Sequence, residues 1–176
     1  LKFPHHENEI AQAECATERN FASLWMHTGP LRIEDKKMSK SLKNFITVKD
    51  ILKDFHPEVL RLFFLLTHYR SPISYSKEGL ENAKRVLDKF YTLFSDIKTP
   101  RKFNEDKTFR EKFISAFQDD FNSPKALSLL QAYAANTESG ADLSSDKLGT
   151  LKVLLNSLGL LLDEAENYFK YGELEL

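Results

Sequence analysis

Apolar residues recur at spacings of three and four along most of this chain, and short apolar clusters broken by turn residues occupy only its first third. The first spacing predicts helices with one buried stripe, the second predicts short strands. A helix is expected from about Pro4 to Arg19, since proline at the first helical turn loses no useful N–H. Leu24-Trp25-Met26-His27 and Leu31-Arg32-Ile33 read as short strands around the turn Thr28-Gly29-Pro30. Thr47, with Asp50 three residues on, predicts a capped helix reaching about Phe55. Pro57 opens another, to about His68, with Val59, Leu60, Leu62, Phe63, Phe64, Leu65 and Leu66 nearly all round it, the pattern of a helix buried between others.

Ser76 caps a helix to about Ile97, with Leu80, Ala83, Leu87, Phe90, Phe94 and Ile97 on one face. After a basic linker, Lys98 to Asn104, a helix from about Asp106 to Asp119 is expected to bury Phe109, Phe113, Ile114 and Phe117. Ser123-Pro124 opens the next, with Leu127, Leu130 and Tyr133, and Thr137 to Ser145 is a polar loop. The last helix carries Leu148, Leu151, Leu155, Leu158 and Leu162. Single-striped helices joined by short loops describe an antiparallel bundle.

Composition sharpens this picture. The chain has 176 residues, 41% hydrophobic and 29% charged, with 14 Phe and only six Gly, which favours packed helices over an all-β fold and argues against disorder. A net charge of −1 makes no global case for nucleic acid, so any RNA contact must be local. One Cys excludes an internal disulfide framework, and the longest apolar run, Leu62 to Leu66, is far too short for a membrane span. A cytoplasmic protein is the expectation. The opening Leu1-Lys2-Phe3-Pro4 reads like the middle of a domain of a longer polypeptide.

The candidate chemistry lies early. Lys37-Met38-Ser39-Lys40-Ser41 offers two flexible ammonium groups and two hydroxyls, suited to a triphosphate and to charge building on a leaving pyrophosphate, although a solvated lysine turn has the same composition. His5 and Glu9, four apart, share a helix face and suit a divalent metal, zinc first, although such pairs also occur as plain surface contacts. Cys15 lies about 1000° of helical rotation beyond His5 and is expected to be a small buried residue.

Taken together, His5-His6-Glu7-Asn8-Glu9, Trp25-Met26-His27-Thr28-Gly29, the lysine loop, His68-Tyr69-Arg70-Ser71-Pro72 and Asp119-Asp120-Phe121-Asn122-Ser123-Pro124 resemble cysteinyl-tRNA synthetase, a class I synthetase, over nearly the whole chain. The resemblance implies a mostly α fold in three parts. Residues 1–46 would be the C-terminal remnant of a Rossmann-type catalytic domain, 47–75 a stem-contact connection, and 76–176 an antiparallel helical bundle that binds tRNA. It implies ATP-dependent activation of cysteine to cysteinyl-adenylate, with Mg2+, and transfer to the 3′ end of tRNA(Cys) by a monomeric enzyme.

Lys37 and Lys40 would then stabilise the ATP phosphates, aided by Ser39. The family's Zn2+, one per subunit, is held by two Cys, one His and one Glu. The last two map to His5 and Glu9, and the metal takes the substrate thiolate. A borderline-soft metal accepts a thiolate where a hydroxyl or methyl cannot serve, so serine and alanine would be rejected at binding without an editing domain. Arg70, Lys77 and Arg85, with Lys84, Lys89, Lys98, Arg101 and Lys102, would form a basic stripe along tRNA, unless they are an ordinary solvated helix face.

The departures are equally specific. The His-x-Gly-His-type ATP signature and both zinc cysteines are absent from this sequence, and in the family they lie upstream. Lys43 stands where many members have Gly. The small C-terminal anticodon-reading domain is expected to be missing too. With half a metal site and half an ATP site, this segment alone is expected to be inactive. Two other readings share some of these features: a non-catalytic tRNA-binding module, and a ligase joining cysteine to an amino-sugar.

Overall fold

The computed structural model describes residues 2–33, 36–37, 46–95, 102–138 and 145–171. An irregular turn over Lys2–His6, in which Phe3 is extended (φ −120°, ψ 136°), leads into α1 (Glu7–Thr17). Glu18, left-handed at φ 54°, ends α1 by donating its N–H to the Glu14 carbonyl at 2.9 Å, just short of the expected Arg19. Cys15, expected to be buried, is exposed: no residue of α1 is buried, so nothing covers that face among the described residues.

A three-stranded sheet follows, in the order β2-β1-β3, from β1 (Leu31–Ile33), β2 (Lys36–Lys37) and β3 (Ile73–Tyr75). β2 runs antiparallel to β1, so the backbone of Lys37 belongs to a strand rather than to the loop expected there. β3 runs parallel to β1, with Leu31 beside Ile73 and Ile33 beside Tyr75. A parallel pair needs a crossover, and α2 (Val48–Ile51) and α3 (Pro57–Leu65) supply it. Leu24–His27 is not a strand. Its backbone is irregular, and Leu24, Trp25 and Met26 are all exposed.

The Thr47 cap is present as a full capping box. Its hydroxyl accepts the Asp50 N–H at 3.1 Å, and the Asp50 carboxylate accepts from the Thr47 backbone. The Thr47 hydroxyl, then Lys53, lowers the Asp50 carboxyl to about 2. The helix is nonetheless one turn long and stops well before Phe55.

The helical body comprises α3, α4 (Lys77–Ser95), α5 (Lys107–Gln118), α6 (Ser123–Glu138), α7 (Ser145–Ser157) and α8 (Ala165–Phe169). Ser76 Oγ accepts the Gly79 N–H at 3.0 Å, as a cap should. Leu80, Ala83, Leu87 and Phe90 are buried as the stripe predicts; Phe94 is partly buried and Ile97 lies outside the described residues. The α3 face is narrower than expected, with Phe64 exposed. In α5, Ala116 is buried in place of Ile114. α6 is capped by Asn122, whose Oδ1 accepts the Lys125 N–H at 3.1 Å, rather than by Ser123. No helix of the described residues is long and apolar enough to cross a membrane.

The final helix departs most from expectation. α7 stops at Ser157, and Gly159 (φ 71°) and Leu161 (φ 57°) turn the chain back toward α3, leaving Leu162 exposed. The cause is Glu58, buried in the first turn of α3. Its carboxylate accepts the N–H groups of Leu161 (2.8 Å) and Leu162 (2.9 Å) and the hydroxyl of Tyr91 (3.0 Å). Tyr91 stacks on Tyr168 of α8 at 3.8 Å, and the Tyr168 hydroxyl donates to Asp88 at 2.7 Å. Burial, reinforced by Glu58, raises the Tyr91 phenol far above its ordinary range, so it remains a donor at any working pH.

Replacing Glu58 with Ala leaves the Leu161 and Leu162 N–H groups and the Tyr91 phenol without their shared acceptor. A loss of about 3 kcal/mol is expected, read as a lower urea midpoint followed by circular dichroism; an unchanged midpoint would contradict this account of the turn. Glu58→Gln keeps an acceptor oxygen and is expected to lose less.

Candidate functional site

Two donors face each other at the start of the chain. His5 Nε2 and Glu9 Oε1 are 3.5 Å apart, with side chains 59% and 51% exposed. Two ligands of a tetrahedral zinc, each about 2.1 Å from the metal, would sit roughly 3.4 Å apart. The separation is about that of one such edge, and it is also that of an ordinary His–Glu contact one helical turn apart. The pair does not complete a site: among the described residues no three His, Cys, Asp or Glu side chains cluster to hold a metal.

Beside this pair lies an aromatic group that pattern reading took for a strand. His6 stacks on Trp25 with ring centroids 5.5 Å apart, and His6 Nδ1 lies 3.2 Å from His27 Nε2. Phe21 leans on Trp25 at 5.7 Å. Ring contacts, not strand pairing, hold residues 24–27 against the first turn of the chain.

The adjoining turn is fixed from below. The Gly29 N–H donates to the Tyr69 carbonyl at 2.7 Å, and the Ile73 N–H to the Pro30 carbonyl at 3.0 Å. A Cβ at position 29 would come within 2.1 Å of the Ser71 carbonyl oxygen, so glycine is required by close backbone approach. The Trp25–Gly29 and His68–Pro72 stretches, some forty residues apart, thus share one seam.

His68–Arg70 also meets the bundle. Asp120 Oδ1 accepts the Tyr69 hydroxyl at 2.7 Å, and Arg70 Nε approaches Asp120 Oδ2 at 2.8 Å. His68 Nε2 lies 3.0 Å from the Asp120 carbonyl oxygen. The Tyr69 hydrogen bond, with Arg70 and His68 nearby, holds the Asp120 carboxyl below its usual range. The same phenol, then Asp120, raises the Arg70 guanidinium. Sequence reasoning treated both stretches as signatures and missed that they touch. The available signal was two dense polar runs flanked by proline in an otherwise striped helical chain.

The remaining expected residues are distributed differently. Ser39 and Lys40 lie outside the described residues; Lys37 before them pairs in β2, and Thr47 after them caps α2. Lys77 opens α4 and is exposed. Arg85 is exposed and hydrogen-bonded to Asn82. The basic stripe is interrupted: Arg70 is paired with Asp120, and Lys84 with Asp88 at 2.9 Å, while Lys98 and Arg101 lie outside the described residues.

Residues 1–85 match the model of the class I (C) tRNA synthetase catalytic domain, and 112–164 that of the DALR domain. A cysteine–tRNA ligase of Methylococcus capsulatus is 48% identical over 97% of this chain and 38% of its own length. Those of Hydrogenovibrio crunogenus (44% identical, 97% and 37%) and Francisella tularensis subsp. novicida (42%, 98% and 39%) are similar. The chain spans less than two fifths of the length of these relatives. With both domain models matched in order and this level of identity along the whole chain, it belongs to the cysteine–tRNA ligase family of class I tRNA synthetases.

Proposed function

We propose that the protein carrying this chain activates cysteine with ATP and Mg2+ and transfers it to tRNA(Cys), as a cytoplasmic monomer. The observation that carries this is the His5–Glu9 pair, set at zinc-ligand separation in a chain whose relatives are named cysteine–tRNA ligases. The tRNA in those names supports a tRNA acceptor over an amino-sugar.

His5 and Glu9 would hold Zn2+ through an imidazole nitrogen and a carboxylate oxygen, with two further donors from residues outside this chain. Zinc, when bound, supplies an acceptor that prefers a thiolate to a hydroxyl or methyl. His6, Trp25 and His27 wall this side of the site. Lys37, Ser39 and Lys40 meet the ATP phosphates, where the lysine charges act on the leaving pyrophosphate. Residues 1–46 act as the end of the catalytic domain, 47–75 as the stem-contact connection and 76–176 as the tRNA-binding bundle. Within these, Arg70, Lys77 and Arg85 lie toward tRNA.

Two variants of the full-length protein test the assignment. Lys40→Ala is expected to lower the rate of cysteine-dependent ATP–pyrophosphate exchange by about 10²–10³-fold with little change in the KM for cysteine, since its contact strengthens in the transition state. Equal rates would remove Lys40 from the role. His5→Ala is expected to lower bound zinc, measured by atomic emission, and to raise the cysteine KM with it. Full zinc retention would take His5 out of the ligand set.

A further inference from the structure

We propose that Asp120 is a positioning residue, which sets the helical bundle against the Trp25–Pro30 segment through Tyr69 and Arg70. The inference deepens the functional reading above and rests on it. Asp120 stands at the corner between α5 and α6, remote in sequence from everything it binds. Its two carboxylate oxygens take the Tyr69 hydroxyl (2.7 Å) and the Arg70 guanidinium (2.8 Å to Nε, 3.2 Å to the terminal nitrogen). Arg70 Nε also donates to the Tyr69 hydroxyl at 2.8 Å, which closes a triangle. From there the Tyr69 carbonyl holds the Gly29 N–H, and the turn at Gly29 follows directly on His27 and Trp25, which pack on His6 next to His5. Every link in this path is a hydrogen bond, a ring contact or a peptide bond.

The corner itself is shaped for the purpose. Asp120 (φ 54°) and Phe121 (φ 53°) are consecutive left-handed residues, neither of them glycine. Side-chain-bearing residues avoid that region unless their surroundings hold them there. Here the Phe121 N–H is bonded to the Phe117 carbonyl at 2.9 Å and the Asn122 N–H to the Ala116 carbonyl at 3.2 Å. The result turns the Asp120 carboxylate out of the bundle and sets Phe121 edge-on to Tyr69 at 6.4 Å. Yet Asp120 and Arg70 are largely exposed, at 45% and 65%. Exposed pairs of this kind add little to stability, so the value of this one lies in the geometry that it sets.

A tRNA held on the bundle must deliver its 3′ end to the activated amino acid, and that transfer depends on how bundle and catalytic segment are set. Activation of cysteine does not. The pairing also occupies Arg70, so removing Asp120 frees a cation toward the RNA. Asp120→Ala in the full-length protein is therefore expected to leave ATP–pyrophosphate exchange within about twofold. The aminoacylation kcat should fall about tenfold or more, as displacement from productive geometry does, with the KM for tRNA no higher. Tyr69→Phe, which removes one oxygen, is expected to move kcat in the same direction and to be non-additive with Asp120→Ala. It also carries the test should the Asp120 variant fail to fold.

A raised tRNA KM at unchanged kcat would make Asp120 a binding group and overturn the proposal. So would equal losses in exchange and aminoacylation, or no loss in either. A parent protein lacking both activities would instead refute the functional reading, and this inference with it; measuring the parent first separates the two failures.

Discussion

A carboxylate cut off from water must be met by donors, and Glu58 meets this condition with two backbone N–H groups and a phenol that come from other parts of the chain. Most of the bundle's geometry follows. The N–H groups of Leu161 and Leu162 point at Glu58 only because α7 ends at Ser157 and the chain turns through two left-handed residues. That turn lays α8 against α4, where Tyr168 stacks on Tyr91, and Asp88 takes the Tyr168 hydroxyl. The apolar core around Leu62, Leu87 and Leu155 supplies the bulk of the driving force. The buried carboxylate selects which closure of that core forms, because any other would leave a charge unpaired.

The N-terminal third is built on a different principle. α1 buries nothing, and Phe3, Leu24, Trp25 and Met26 are exposed. Order there comes from ring stacking around His6 and from a parallel β1–β3 pair tied to the Tyr69–Ser71 segment. His5 and Glu9 stand at the open end of this arrangement with their side chains more than half exposed, 3.5 Å apart.

The helical body and the positions of its stripes were legible because burial of one face imposes a period on the sequence, as in Leu80, Ala83, Leu87 and Phe90. Caps at Thr47 and Ser76 were legible for a related reason: they satisfy N–H groups only three residues away. Leu24–His27 misled because a run of large apolar residues signals contact without saying whether the partner is a strand or a ring. Cys15 misled because its burial depends on what lies over α1, which no local pattern encodes. The last helix was read too long, since leucines continue at helical spacing past Gly159 while the chain has already turned toward Glu58.

The candidate site divides in the same way. The sequence by itself determined which residues are candidates for chemistry: an imidazole and a carboxylate at one helical turn, two lysines and two hydroxyls within five residues, and the motif company that marks the family. Tertiary structure alone decided that His68–Arg70 and Asp120 meet, that Gly29 lies against the Ser71 carbonyl, and that the Arg70 guanidinium sits on a carboxylate. The reason is range. Helical period, caps and ligand spacing act over a few residues and leave their mark in local order. A hydrogen bond between residues fifty positions apart leaves none until the core has closed and brought them together.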